Sequence, residues 1–104
     1  MHIQFNTGKN VPHNKELDKS FTSLISGELS RYDKFITRLE VHLSDEDGKK
    51  NGQNDKRCLI EARLKGFQPI AVSDQSDTHK FAVIGAVEKL KSSLTSIEGR
   101  LKNR

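Results

Sequence analysis

Hydrophobic and polar residues alternate in four short segments of this chain and repeat with helical spacing in two longer ones. Alternation with a period of two is typical of strands that bury one face. The alternating segments are residues 2–5, 35–43, 57–65 and 68–73, and the helical segments lie between the first two and after the last. The pattern therefore predicts the order β-α-β-β-β-α.

The first helical segment has an apolar face formed by Leu17, Phe21, Leu24 and Ile25. His13 or Asn14 is expected to cap its start, because a polar side chain there can accept hydrogen bonds from unpaired backbone N–H groups. The helical pattern fades at residues 27–29. Residues 45–55 (DEDGKKNGQND) contain no apolar side chain and predict a long, solvated and mobile hairpin loop between the second and third strands.

The last helical segment has the most regular apolar stripe in the chain. Its members step by four and three residues in turn and are Val83, Val87, Leu90, Leu94, Ile97 and Leu101. At about 100° of rotation per residue, this spacing places all of them on one side of a helix, which can pack against a core. Ser76 or Asp77 is the predicted cap of this helix. Phe81 and Ile84 fall off the stripe, so they either pack under the preceding linker or stand exposed as a contact surface.

These elements predict an α+β fold, in which a four-stranded antiparallel sheet has both helices packed on one face and a polar face opposite. The side chains expected in its core are Leu17, Phe21, Leu24, Leu39, Val41, Ile60, Leu64, Val87, Leu90 and Leu94. Cys58 alternates with Ile60 and is expected to be buried beside it. The length fits one domain, residues 1–104, in which residues 99–104 form a short basic tail.

The sequence offers little for catalysis or membrane insertion. No apolar run approaches the roughly 20 residues of a membrane span, and the N-terminus lacks the pattern of a signal peptide. The single cysteine excludes an internal disulfide, which suits the cytoplasm. The four histidines are far apart in the sequence, so we expect no metal, and the motifs of nucleophilic serines and phosphate-binding loops are absent. We therefore expect a cytoplasmic binding protein, not an enzyme, with no cofactor and no small-molecule substrate.

The net positive charge is concentrated in the last quarter of the chain. The chain has 18 basic and 14 acidic residues, and the whole excess lies in residues 78–104, because residues 1–77 are balanced. Basic side chains flank the apolar stripe of the last helix at Lys80, Lys89, Lys91, Arg100 and Lys102. Lysines that recur eleven residues apart, roughly 16 Å along a helix, can follow separate backbone turns of a folded RNA. These residues are the predicted RNA-binding residues, and an ordinary solvated helix face is the alternative.

Several segments, taken in order and spacing, resemble one known protein family. They are TGKNV at 7–11, a helix that opens with Leu17, SRYDKFI at 30–36, VHLS at 41–44 and AVEKLKSSL at 86–94 in the last helix. In this combination the chain resembles the family of ribosome hibernation promoting factors and ribosome-associated inhibitors, also called sigma-54 modulation proteins. It resembles the short form, because it ends before the second domain of the long members.

The resemblance implies a double-stranded-RNA-binding-like fold and a translation inhibitor of the stress response. Such a protein binds the small ribosomal subunit and its rRNA in the cleft for messenger and transfer RNA, and so keeps ribosomes idle, in hibernation. It is expected to be a monomer off the ribosome. Lys89 and Lys91 match the basic positions of the family's last helix best, and Lys80 lies near the start of that helix. Ser92 stands where the family has a basic residue.

Two other functions are compatible with the same residues. One is a diverged relative that uses this fold on another structured RNA. The other is a protein–protein interaction module, in which Phe81, Ile84 and the exposed strand face meet a protein partner. Salt dependence separates the possibilities, because contacts to phosphate weaken as salt rises, whereas apolar contacts to a protein do not.

Overall fold

The computed structural model of the chain describes residues 1–8, 11, 14–46 and 55–102, with side chains as far as residue 100. Its elements are β1 (His2–Thr7), α1 (Lys15–Leu29), a turn of 3-10 helix (Ser30–Tyr32), β2 (Ile36–Asp45), β3 (Lys56–Leu64), β4 (Ile70–Ser76) and α2 (His79–Lys102). The predicted order β-α-β-β-β-α is confirmed. Over the described residues, neither helix has an apolar stretch long enough to span a bilayer.

The four strands form one mixed sheet in the order β1-β2-β3-β4. β3 pairs antiparallel with both β2 and β4, but β1 pairs parallel with β2, so that Ile3 lies opposite Leu39. The prediction of a wholly antiparallel sheet is therefore wrong. The physical reason is the connection: α1 carries the chain back along the length of the sheet before β2 begins, and a helical crossover of this kind joins parallel strands.

Asn14 fixes the start of α1. Its Oδ1 accepts hydrogen bonds from the backbone N–H groups of Glu16, at 2.9 Å, and Leu17, at 3.2 Å. Glu16 and Asp18 lie in the first turn, where a negative charge is favoured by the helix dipole. Asn14 is one of the two predicted caps, and the other lies outside the described residues. The helix ends at Leu29, inside the interval where the sequence pattern fades.

Both helices bury their apolar faces against the same face of the sheet. The fully buried large side chains are Ile25, Leu29, Ile36, Leu39, Val41, Cys58, Ile60, Val83, Val87, Leu90 and Leu94. Phe21, Leu64 and Ile97 are also buried, so the predicted stripe of α2 is confirmed from Val83 to Ile97. The side chain of Leu101 lies outside the described part of the chain.

Leu17 and Leu24 do not join this core as predicted. Leu17 is 49% exposed, and Leu24 is half-buried at the edge of the core. The core side of α1 is centred on Ile25, and a step of four residues overshoots a full turn by about 40°. Phe21 is one such step from Ile25 and stays buried, whereas Leu17 is two steps from Ile25 and is rotated toward solvent.

Thr78 caps α2. Its Oγ1 accepts a hydrogen bond from the backbone N–H of Phe81 at 3.1 Å, and its carbonyl accepts one from Ala82. The predicted caps, Ser76 and Asp77, are therefore wrong, because β4 continues to Ser76, which still pairs with Lys56 of β3. At its other end α2 continues through Lys102, so the predicted tail of residues 99–104 begins as helix.

Phe81 and Ile84 have different surroundings. Phe81 is 58% exposed, so it does not pack under the preceding linker, and its role as a contact surface stays a prediction. Ile84 is half-buried in a small cleft that Leu24 and Glu28 of α1 also line.

The hairpin between β2 and β3 closes on an ion cluster. The backbone N–H of Glu46 donates to the carbonyl of Asp55 at 2.8 Å, and Asp45 pairs with Lys56 across the strands. Lys56 Nζ lies 2.9 Å from Asp45 Oδ2 and 3.1 Å from Asp55 Oδ2, and these hydrogen bonds raise the pKa of Lys56. The predicted loop of residues 45–55 is thus anchored at both ends, and its residues 47–54 lie outside the described residues.

Leu90 provides a test of the α2 stripe. It is fully buried, so Leu90→Ala leaves a cavity and should lower the free energy of unfolding by about 2–5 kcal/mol. Leu17→Ala is the matched control, because the same atoms are removed from a half-exposed position, and it should cost roughly 0.5 kcal/mol or less. Urea denaturation of both variants measures the difference, and equal losses would contradict the assignment of the core.

Cys58 provides a test of burial at the centre of the sheet. It has no exposed surface, and burial, together with the charge of Asp74, raises the pKa of its thiol to about 12. An unfolded thiol ionises near about pH 8.5, so this contribution to stability is complete below that pH and is lost as pH rises toward 12. We expect Ellman's reagent to label the native protein slowly and the urea-unfolded protein at once. Rapid labelling of the native protein would contradict the burial.

Candidate RNA-binding surface on helix α2

Contacts on both sides of α2 fix its rotation on the sheet. The helix packs across β3 and β4 and lies beside α1. Tyr32 Oη lies 2.7 Å from Thr95 Oγ1, and Arg31 forms an ion pair with Glu98, so the chain after α1 is tied to the C-terminal half of α2. One flank of α2 therefore faces α1, and the opposite flank faces β4.

Lys91 lies on the flank toward α1. Its Nζ is 3.1 Å from Glu28 Oε2 and 3.7 Å from Glu88 Oε1, and its side chain is 33% exposed. The hydrogen bond to Glu28 is the main reason that the pKa of Lys91 is raised, with the charges of Glu28 and Glu88 adding to it. Lys91 is therefore firmly charged but partly neutralised by its neighbours.

Lys89 lies on the flank toward β4. Its Nζ donates to the backbone carbonyl of Ser73 at 2.8 Å and to Asp74 Oδ1 at 3.1 Å. Gly85 makes room for this arrangement, because a Cβ atom at that position would overlap the Asp74 carboxylate and lie only 2.6 Å from its Cγ. The close approach of β4 to α2 thus depends on a residue without a side chain.

Lys80 and Arg100 lie at opposite ends of the described helix. Both are exposed, and neither forms an ion pair with another described residue. Lys80 borders a cleft with Leu17 and His79 near the start of α2. Arg100 borders an open cleft of about 470 Å³, whose floor includes Phe67 and Ile97. The side chain of Lys102 lies outside the described residues.

The predicted basic residues thus occupy two flanks of α2. Lys80 and Lys91 are eleven residues apart on one flank, and Lys89 and Arg100 are eleven apart on the other. Lys89 and Lys91 are engaged by acidic side chains, which sequence spacing did not reveal, because Glu28 and Asp74 come from other elements. Ion pairs between exposed groups are weak in water, so phosphate oxygens can replace these carboxylates.

The opposite face of the sheet carries a group of charged residues that the predicted site did not include. Glu40 and His42 point to that face from β2, as the alternation predicted. The antiparallel register then places Glu61 of β3 directly opposite Glu40. Strand register between distant segments is what brings Glu61 to this group, and no spacing within one strand indicates it.

Solved structures of other small α+β proteins share this fold. A structure described as a ribosomal subunit interface protein from Coxiella burnetii is similar to it with a TM-score of 0.72, at 22% identity, covering 95% of this chain and 99% of that one. The Protein Y N-terminal domain of Thermus thermophilus is similar with a TM-score of 0.68, at 20% identity, covering 93% and 99%. No curated protein sequence matches the chain at a significant level.

A family model decides the relationship. Residues 7–102 match the family described as sigma 54 modulation protein / S30EA ribosomal protein. The chain therefore belongs to this family, as its sequence motifs suggested. It is a family of ribosome-associated proteins and not a class of enzymes.

Gly85 provides a test of the approach between β4 and α2. Gly85→Ala forces the Asp74 carboxylate away from α2 and should destabilise the protein by about 1–3 kcal/mol. Gly99→Ala, in the same helix with nothing near its added methyl group, should instead stabilise by about 0.5–1 kcal/mol. Asp74→Ala should largely rescue Gly85→Ala. If the two glycine variants unfold alike in urea, Gly85 has no steric role.

Proposed function

We propose that this protein binds the small ribosomal subunit in the cleft that messenger and transfer RNA use, and so keeps ribosomes idle. The match of residues 7–102 to a ribosome-associated family carries the proposal. The concentration of the net positive charge in residues 78–104 supports it, because rRNA is a polyanion. On this proposal the protein works in the cytoplasm and is a monomer off the ribosome.

The basic flanks of α2 are the part of the surface proposed to meet rRNA phosphates. Lys80 and Arg100 are available without breaking an ion pair to a described residue, and they mark the two ends of a segment of about 30 Å, at 1.5 Å per residue. Lys89 and Lys91 lie between them and exchange Asp74 and Glu28 for phosphate when RNA docks. Ser92 is exposed on the ridge between the two flanks.

Inhibition on this proposal acts by occupancy. The protein silences a ribosome by filling the space that its substrates need, so inhibition of translation in a purified system should be stoichiometric with ribosomes. Competing initiator transfer RNA and initiation factors should relieve it, and the rRNA should stay uncleaved and unmodified. Inactivation by much less than one equivalent of protein would contradict occupancy.

Reversal of Lys80 and Arg100, the basic residues of α2 that form no ion pair with a described residue, tests the docking face. Lys80→Glu with Arg100→Glu should weaken cosedimentation with small subunits and flatten its dependence on salt, because each lost phosphate contact removes roughly one unit of slope on log–log axes. The control is Arg57→Glu with Arg63→Glu, which makes the same change in net charge on the opposite face of the sheet.

Two outcomes of this experiment are decisive. Equal losses in the two double variants would indicate diffuse charge attraction, and a larger loss in the control would place the docking face on the open side of the sheet. Ser92→Arg should act in the opposite direction and tighten binding, because it adds a basic side chain between the two flanks.

A protein partner is the second candidate, and the exposure of Phe81 favours it. A phenylalanine that is 58% exposed beside half-buried Ile84 gives an apolar contact point near the start of α2. Phe81→Ser should then abolish a binding event that does not respond to salt and leave small-subunit binding intact. A diverged RNA target is indicated if another structured RNA outcompetes small subunits at equal salt.

A further inference from the structure

Three potential metal ligands meet on the open face of the sheet. Glu40 and His42 are two residues apart on β2, so their side chains share a face, and Glu61 of β3 lies directly opposite Glu40. One donor atom of each residue lies within 4.8 Å of the other two. His42 Nε2 is 2.9 Å from Glu61 Oε1 and 3.7 Å from Glu40 Oε2.

These separations fit a small divalent ion. Zinc bonds of about 2.0–2.2 Å to nitrogen and oxygen place tetrahedral ligand atoms roughly 3.4 Å apart. The two distances from His42 Nε2 lie on either side of that value, and the ligand oxygens of Glu40 and Glu61 lie within 4.8 Å of each other, so the two exposed carboxylates must move closer together to complete the geometry. The side chains are 29–50% exposed, which leaves a path for the ion and a position for a water ligand.

Two carboxylates of this cluster repel each other, and a bound cation would neutralise that repulsion. Like charges directly opposite each other on neighbouring strands are destabilising, and Glu40 and Glu61 are such a pair. Arg38 neutralises part of the negative charge, but only at one oxygen of Glu40, because its Nε lies 3.1 Å from Glu40 Oε1. Oε2 of Glu40, the oxygen nearer to His42, is left directed at the cluster.

The imidazole of His42 can bind a metal ion through Nε2 once one neighbouring amide turns over. Its Nε2 is buried from solvent and makes no well-aligned hydrogen bond to a described residue, although Glu61 is close. Its Nδ1 lies 3.5 Å from Nδ2 of Asn6 on β1, and Oδ1 of Asn6 accepts a hydrogen bond from Gln4 Nε2 at 3.4 Å. A metal ion on Nε2 requires the proton to be on Nδ1, so the Asn6 amide must turn over and give up the contact to Gln4. Its oxygen then accepts from Nδ1–H, which is the usual outer support of a metal-bound histidine.

We propose that Glu40, His42 and Glu61 form a binding site for a divalent first-row transition metal ion, with Zn²⁺ the best fit, and with Asn6 as its positioning residue. One imidazole nitrogen with two carboxylate oxygens is a donor set of borderline hardness, suited to Zn²⁺ and its neighbours rather than to Ca²⁺ or Mg²⁺, which prefer oxygen ligands throughout. The bound ion links β2 and β3 across the face away from the helices. This proposal does not depend on ribosome binding.

The test uses the untagged full chain after removal of metal. Zn²⁺ titrated against a chromophoric chelator should show one equivalent bound, and Co²⁺ should give the visible absorption of a low-symmetry site with nitrogen and oxygen ligands. His42→Ala and Glu61→Gln should each abolish this binding, and Asn6→Ala should weaken it by about 10–100-fold. His2→Ala is the matched control, because it removes an exposed histidine near the same face, and it should change nothing.

Three results would overturn the proposal. They are no zinc binding by the wild-type chain, zinc binding that survives in both His42→Ala and Glu61→Gln, and equal affinity for Mg²⁺ and Zn²⁺, which indicates only a diffuse acidic surface. Glu61→Gln keeps the size of the side chain, and circular dichroism of each variant separates loss of the site from loss of the fold.

Discussion

The apolar stripe of α2 packs across β3 and β4, and these contacts decide where every charge of the helix lies. With Val87, Leu90 and Leu94 buried against the sheet, rotation of α2 about its own axis would expose a large apolar area. The basic residues are therefore held on two flanks at fixed positions. A binding surface needs this kind of rigidity, because charges that are already oriented lose less freedom when a partner docks.

The acidic residues beside this surface partly neutralise its positive charge. Glu28 and Asp74 form ion pairs with Lys91 and Lys89, so in the proposed complex these lysines would be oriented before RNA docks. In that complex the same carboxylates would compete with phosphate and lower the affinity that two free lysines would provide. On the proposed function such a balance favours release of the protein from the ribosome, because binding of moderate strength is readily reversed.

The sequence pattern predicted the elements and most of the core, because period and burial are local properties. The direction of β1 was missed, since alternation is the same for parallel and antiparallel strands, although the helix that follows β1 is the signal that distinguishes them. The exposure of Leu17 follows from helical geometry, because each step of four residues rotates about 40° beyond a full turn and two such steps separate Leu17 from Ile25. Thr78 was missed as a cap because several neighbouring residues can cap a helix, and only the length of β4 selects one of them.

The acidic neighbours of the basic residues could not be predicted from the sequence for a different reason. Lys80, Lys89 and Lys91 are exposed or half-exposed on the flanks of α2, as predicted. Glu28 and Asp74, however, reach Lys91 and Lys89 from α1 and β4. In the same way, Glu61 reaches Glu40 and His42 only through strand register. Pairings of this kind depend on how elements pack, which residue spacing within one element does not encode.

The position of Asp74 has a consequence for solubility. β4 is an edge strand, paired with β3 alone among the described strands, and such edges can recruit a strand from another molecule and begin aggregation. Asp74 directs its carboxylate inward, under α2. In the monomer the charge of this carboxylate is compensated by the ammonium group of Lys89, and the missing side chain of Gly85 leaves room for it. A second sheet that extended this edge would have to enclose the same charge in a drier environment. The close approach of strand and helix thus also protects the protein from self-association.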